Sequence, residues 1–183
     1  MFLKGSLITK YKSVLLIDDY WMRVRKDGFQ GISFGVMDAV VTVLGVMIGL
    51  SIHGNKLFLI IGILTAGIAD SFANAAGIHV SQETEVIHTH SEVLRSTVYC
   101  FFATFITVII LTLPILFLPM PISIYVSIGI GMVLLVCLGY FVSMVNNKFK
   151  AYKLALEYLA IGACVSIICY FIGTYANLLL EGV

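Results

Sequence analysis

Charge is scarce in this sequence. Asp, Glu, Lys and Arg make up 11 % of its 183 residues, while 60 % are hydrophobic. A soluble domain carries about 25 % charged residues, because its surface stays in water. Ten acids and eleven bases cannot coat such a chain, which excludes an ordinary soluble protein and a disordered one. The formal net charge of +1 excludes a polyelectrolyte that binds nucleic acid through its overall field. Paired cysteine spacing is missing too. Cys100, Cys137, Cys164 and Cys169 lie in or beside apolar runs, so they read as small packing residues and not as a disulfide framework. There is no nucleophile–base pair and no phosphate-binding glycine loop, so an enzyme is not expected. No cleavable signal is expected either, since Asp18, Asp19, Arg23, Arg25, Lys26 and Asp27 precede the first long apolar run.

Long apolar runs are present. A helix needs about 20 residues to cross the hydrocarbon core. Five windows qualify, at about 32–52, 57–80, 98–118, 122–145 and 154–180. In lipid every backbone group must find its partner internally, so these runs are helices and not open sheets. Pro119-Met120-Pro121 ends the third span, because proline lacks the donor that a continuing helix needs. The fold class expected is an all-α integral membrane protein. Residues 1–30 are expected to be an interfacial N-terminal segment, a helix on the inner leaflet in which Leu3, Leu7, Tyr11, Leu15 and Trp21 mix with basic residues, with a loosely ordered tail as the alternative. Residues 31–183 are expected to be one five-helix membrane domain.

Orientation follows from lysine and arginine. Lys4, Lys10, Lys12, Arg23, Arg25 and Lys26 precede the first span, Arg95 follows the second, and Lys148, Lys150 and Lys153 follow the fourth. Lys56 stands alone on the other side. The N-terminus is therefore expected in the cytoplasm and the C-terminus outside.

The few charges within the spans point to function. Asp38 and Asp70 each lie deep in an apolar run. A charged residue at the bilayer centre costs roughly 2.5–3.5 kcal/mol on insertion scales. Gly31, Gly35, Asp38, Thr42, Gly45 and Gly49 alternate at spacings of four and three, which keeps them on one helical face. Gly62, Ala66, Asp70, Asn74, Gly77 and Ser81 nearly repeat that pattern. The glycines at 31, 35, 45, 49 and 77 read as helix-packing seams, because small residues let backbones approach. The match of Gly35-x-x-Asp38-x-x-x-Thr42 to Gly67-x-x-Asp70-x-x-x-Asn74, in spans of opposite direction, suggests an inverted repeat. Asp38, Asp70, Asn74 and Thr42 are the candidate metal and proton pathway. Burial disfavours an ionised carboxylate and a bound cation favours it, so proton and cation compete for one group. Plain packing hydrogen bonds are the alternative reading of these residues.

Between spans two and three the chain holds His79, Glu83, Glu85, His88, His90 and Glu92. Imidazole with carboxylate suits iron(II), manganese, zinc or cobalt better than calcium or magnesium. These six are the candidate residues for cytoplasmic metal capture, with a solvated polar loop as the alternative. Met37 and Met47 flank the first seam and read as packing residues before soft metal ligands.

Taken together, Gly35-Val36-Met37-Asp38-Ala39 with Thr42 and Gly45 resembles the first-span signature of the vacuolar iron transporter family. So does Ile63 to Asp70, followed by Ala75, Ala76, Gly77 and the segment Ser81 to Glu85. The resemblance spans roughly residues 30–180. It implies a homodimer that exports ferrous iron, and often manganese, from the cytoplasm in exchange for protons. The metal is cargo, and no permanent cofactor is implied. By motif, Asp38 corresponds to a metal and proton ligand, while Asp70 stands where the family usually has a glutamate. The family's second-span methionine has no counterpart near Ile78, and the long glutamate-rich cytoplasmic domain of plant and protist members is reduced here to the segment around Glu83 to Glu92. That short form implies a prokaryotic plasma membrane. A metal sensor or assembly scaffold that transports nothing is the competing expectation.

Overall fold

The computed structural model describes residues 28–85, 87–145 and 150–181. They form five α-helices: α1 (Gly28–Ser51), α2 (Lys56–Glu83), α3 (His90–Phe117), α4 (Ile122–Val145) and α5 (Ala151–Glu181). Each is long and apolar enough to cross a membrane, with span hydropathies between 1.7 and 2.5. The chain is an all-α integral membrane protein. The interfacial helix expected before residue 28 lies outside the described residues, and α1 begins within the segment assigned to it. The end of the bundle that carries Arg95, Lys150 and Lys153 is called the inner end below, following the lysine–arginine rule.

Helix boundaries follow local chemistry more than the apolar windows. α3 begins eight residues before its apolar run because Thr89 and Glu92 cap it. The Glu92 carboxylate accepts from the Thr89 N–H at 2.8 Å and from the Thr89 hydroxyl at 2.8 Å. In return the Glu92 N–H donates to the Thr89 carbonyl at 2.9 Å, so donors at the helix start are paired. α2 starts behind Asn55, whose Oδ1 accepts from the Phe58 N–H at 3.1 Å. The link before it turns through Gly54 at φ +66°, a backbone conformation that favours glycine. At the far end of α3, Lys56 Nζ donates to the carbonyls of Leu116 (3.1 Å) and Leu118 (3.0 Å). These are among the carbonyls that a terminating helix leaves without partners.

α1 is the hub. Ala39, Val40, Val43, Leu44 and Met47 are essentially unexposed and join Leu59 and Ile63 of α2, Val108, Leu111 and Ile115 of α3, and Leu135 of α4 in one core. Met47 is thereby a packing residue. Glycines set the close approaches. A Cβ on Gly35 would stand 2.6 Å from the Cys100 carbonyl oxygen, and one on Gly45 3.1 Å from Cys169 Sγ. Gly31 meets the Ser96 backbone, and Gly49 packs on Cys169. The single glycine stripe read from sequence thus serves two partners, α3 in the inner half and α5 in the outer half. Gly77 corrects the seam assignment: it is exposed, and an added Cβ there would meet nothing within 4 Å. It sits about 100° around α2 from the buried Ile78, so it faces away from the bundle.

Several buried hydroxyls are satisfied by helix carbonyls, while Ser123 Oγ finds no partner among the described residues. Thr104, Thr107, Thr112 and Ser71 each donate to the carbonyl four residues earlier at 2.7–2.9 Å. Thr104 also reaches the Gly35 carbonyl of α1 at 3.3 Å, and Ser127 of α4 donates to the Leu111 carbonyl of α3 at 2.9 Å. Such bonds let polar side chains sit among lipid-embedded helices. α5 differs from the rest, since only 6 % of its span is buried. The four cysteines are free, and Cys100 alone is buried.

Candidate functional site

The repeated motif folds onto itself. α1 and α2 run antiparallel, and the Asn74 amide of α2 donates to Asp38 Oδ2 of α1 at 2.7 Å. Farther out, a Cβ on Gly62 would meet Leu50 Cδ1. The pairs Asp38·Asn74 and Leu50·Gly62 share one register, in which residue numbers across the seam add to a constant. That register sets Thr42 opposite Asp70. Each aspartate therefore faces the polar residue that lies four positions beyond the other aspartate. The Asp70 side chain neighbours Asp38, Thr42 and Asn74. Its Oδ2 is buried and has no hydrogen-bond partner among the described residues. Both aspartates are half-buried.

The four residues read from sequence as a metal and proton pathway, Asp38, Asp70, Asn74 and Thr42, thus form one group within the membrane-spanning part of the bundle. The donors are two carboxylates, an amide and a hydroxyl. Carboxylate and amide oxygens suit divalent ions of hard or borderline character. Among the described residues, no three His, Cys, Asp or Glu side chains gather into a metal-binding group. What the seam offers is two carboxylates with neutral oxygen donors beside them.

Thr42 also lines an open groove between α1 and α5, about 590 Å³ in volume, which runs past Gly45 and Gly49 to His53 at the outer end. Its walls are small and apolar, with Val165, Cys169 and Gly173 supplied by α5. A second groove, about 470 Å³, opens at the inner end between α1, α4 and α5 and includes Gln30, Ser33, Met37 and Tyr158.

The six residues read as a capture loop do not converge. α2 continues to Glu83, which puts His79 and Glu83 one turn apart with His79 Nε2 at 3.3 Å from Glu83 Oε1. His90 of α3 reaches the same oxygen with Nδ1 at 3.6 Å. His79 Nδ1 lies 3.0 Å from Thr97 Oγ1, which ties this trio to α3. Glu85 and His88 form a separate pair at 3.0 Å in the turn. Glu92 is engaged in the α3 cap and is buried. The reason is the helix ending at Glu83: past that point the helical spacing that would have aligned Glu85, His88 and Glu92 no longer applies.

Sequence reasoning passed over Gln30 and Gln82. Gln82 is 1 % exposed, and its Nε2 lies 3.3 Å from Gln30 Oε1 across the α1–α2 seam. Gln82 Oε1 is buried without a partner among the described residues. An unpaired buried polar group costs about 1–3 kcal/mol. Gln82 lies eight positions beyond Asn74 on α2, and Gln30 eight before Asp38 on α1, so the same stripe rule that found the aspartates reaches both.

No protein-family model matches this chain, and no curated protein matches it in sequence.

Proposed function

We propose that the protein moves divalent metal ions, ferrous iron or manganese, across the membrane in exchange for protons. The observation that carries this reading is the Asp38–Asn74–Asp70–Thr42 group on the α1–α2 seam. Two neighbouring carboxylates among lipid-embedded helices are disfavoured while both carry charge alone. A shared proton relieves the repulsion, and so does a divalent cation. The two occupants exclude each other, and that exclusion is the linkage exchange requires. Asn74 keeps Asp38 oriented in either state, since its amide donates to the carboxylate and leaves the amide oxygen available.

The resemblance to vacuolar iron transporters supports the same cargo, the same partner ion and the homodimer. The open α1–α5 groove beside Thr42 has small, apolar walls that suit a second copy or lipid. The basic inner end supports a cytoplasmic N-terminus, and the short segment between the second and third spans, by the same resemblance, supports export from a prokaryotic cell.

Reconstituted protein is expected to carry iron(II) or Mn²⁺ into vesicles and to move protons the opposite way. Folded protein with no flux above that of empty vesicles would sink the reading, leaving a sensor or scaffold.

A further inference from the structure

The α1–α2 register extends beyond the carboxylate group. Gln30 and Gln82 fall in the same register as Asp38 and Asn74, and their amides lie 3.3 Å apart. At the level between these two pairs stand Phe34 of α1, which is exposed, and the buried Ile78 of α2. The inner half of the seam therefore alternates: an amide pair, an apolar level, then the carboxylate group. Eight residues of helix separate the polar levels, about 12 Å along the axis.

Gln82 is the anomaly in this ladder. Its side chain is buried to 1 % exposure, its amide nitrogen makes one long hydrogen bond, and its oxygen makes none among the described residues. An amide oxygen in that state is a ready ligand for a cation. It is neutral, so it can replace water around an entering ion without holding it as a carboxylate would.

We propose that Gln82 and Gln30 form a second, inner station for the transported divalent cation, reached before the Asp38–Asp70 group. The station rests on the transport reading above. Its role is partial dehydration: two amide oxygens substitute for water at the inner end of the seam. The ion then crosses the Phe34–Ile78 level to the carboxylates, where charge and proton exchange take over. The station sets entry affinity, and the carboxylates set turnover.

Two substitutions test it in reconstituted protein with Mn²⁺ as the probe. Q82M keeps the length and unbranched shape of the side chain and removes the oxygen. Q82E keeps an oxygen and adds charge. The station predicts that Q82M raises the half-saturation concentration for Mn²⁺ by about tenfold, the loss of one oxygen contact to a charged ion. It predicts that Q82E stays at or below the wild-type value. A packing role predicts the reverse order, with Q82M near wild type. Unchanged half-saturation in Q82M, or equal impairment in both variants, overturns the station and leaves the oxygen as the partner of a buried water. If Q82M is not recovered folded, Q30M, at an exposed position, carries the same prediction and the same overturning result. Wild-type protein that carries no Mn²⁺ defeats the transport reading itself, so the two failures are told apart.

Discussion

The α1–α2 seam and the inner mouth hold similar numbers of polar side chains and organise them in opposite ways. In the seam, groups from two helices face one another in a constant register, and each aspartate meets the polar residue of the other's motif. At the mouth, polar groups pair with near neighbours: Glu85 with His88, Glu92 with Thr89, His79 with Glu83. Bridges between elements there are His90 with Glu83, at an exposed site, and His79 with Thr97. Surroundings account for the difference. Among lipid-facing helices a polar side chain has no water to turn to, so it is held by another helix or by its own backbone. At the mouth, the buried Glu92 cap aside, water competes for the contacts, and local geometry decides which of them form. The seam gathers polar groups from two helices into one site, and the mouth leaves most of them in local pairs.

Substitutions can break or sharpen that contrast. The largest effect is expected at the seam. Asp38→Asn keeps the shape and loses the exchangeable proton, so Mn²⁺ flux into vesicles falls to background while helix content by circular dichroism stays unchanged. Wild-type flux in that variant would remove Asp38 from the mechanism. Next comes the packing that brings the elements together. Gly35→Ala places a Cβ against the Cys100 carbonyl, a backbone atom that cannot swing aside. Overpacking of that kind costs about 1–3 kcal/mol, to be read as a lower unfolding midpoint in detergent.

Effects at the mouth are smaller. Replacing Glu83, Glu85, His88 and His90 together with alanine is expected to raise the half-saturation for Mn²⁺ a few-fold and to leave maximal rate nearly intact. An unchanged half-saturation would reduce the mouth to a linker. Glu92→Ala removes the carboxylate of the α3 cap and costs about 1 kcal/mol, measurable as a shift in thermal unfolding. Gly77→Ala closes the series. Its Cβ meets open space, so stability stays within about 0.5 kcal/mol of wild type. A large loss there would mean that this face of α2 is covered by something outside the single chain.

Much of the fold was legible from apolar length alone. The fourth span matches α4 residue for residue. The third does not match, because Thr89 and Glu92 extend α3 through polar residues that a hydropathy window rejects. Asp38, Thr42, Asp70 and Asn74 were legible as candidates from their periodicity, and the structure brings them together. Gly77 matched the same periodicity and faces outward, since a small residue at helical spacing does not reveal which way its helix is turned. Gln30 and Gln82 lie on the same stripes but at the ends of the apolar runs, where a polar residue carries no signal of its own. They become neighbours only when the two helices pair.

The sequence by itself determined that the chain belongs in lipid, that it holds five runs long and apolar enough to cross, and which carboxylates lie within those runs. Composition and run length suffice for those conclusions, because they depend on transfer from water to hydrocarbon and not on neighbours. Tertiary structure decided the register of α1 against α2. Register depends on how glycines, β-branched side chains and carboxylates interlock across two surfaces, and no single helix contains that information. From the register follow the meeting of Asp38 with Asn74, the placing of Asp70 beside them, and the buried amide of Gln82 one level inward.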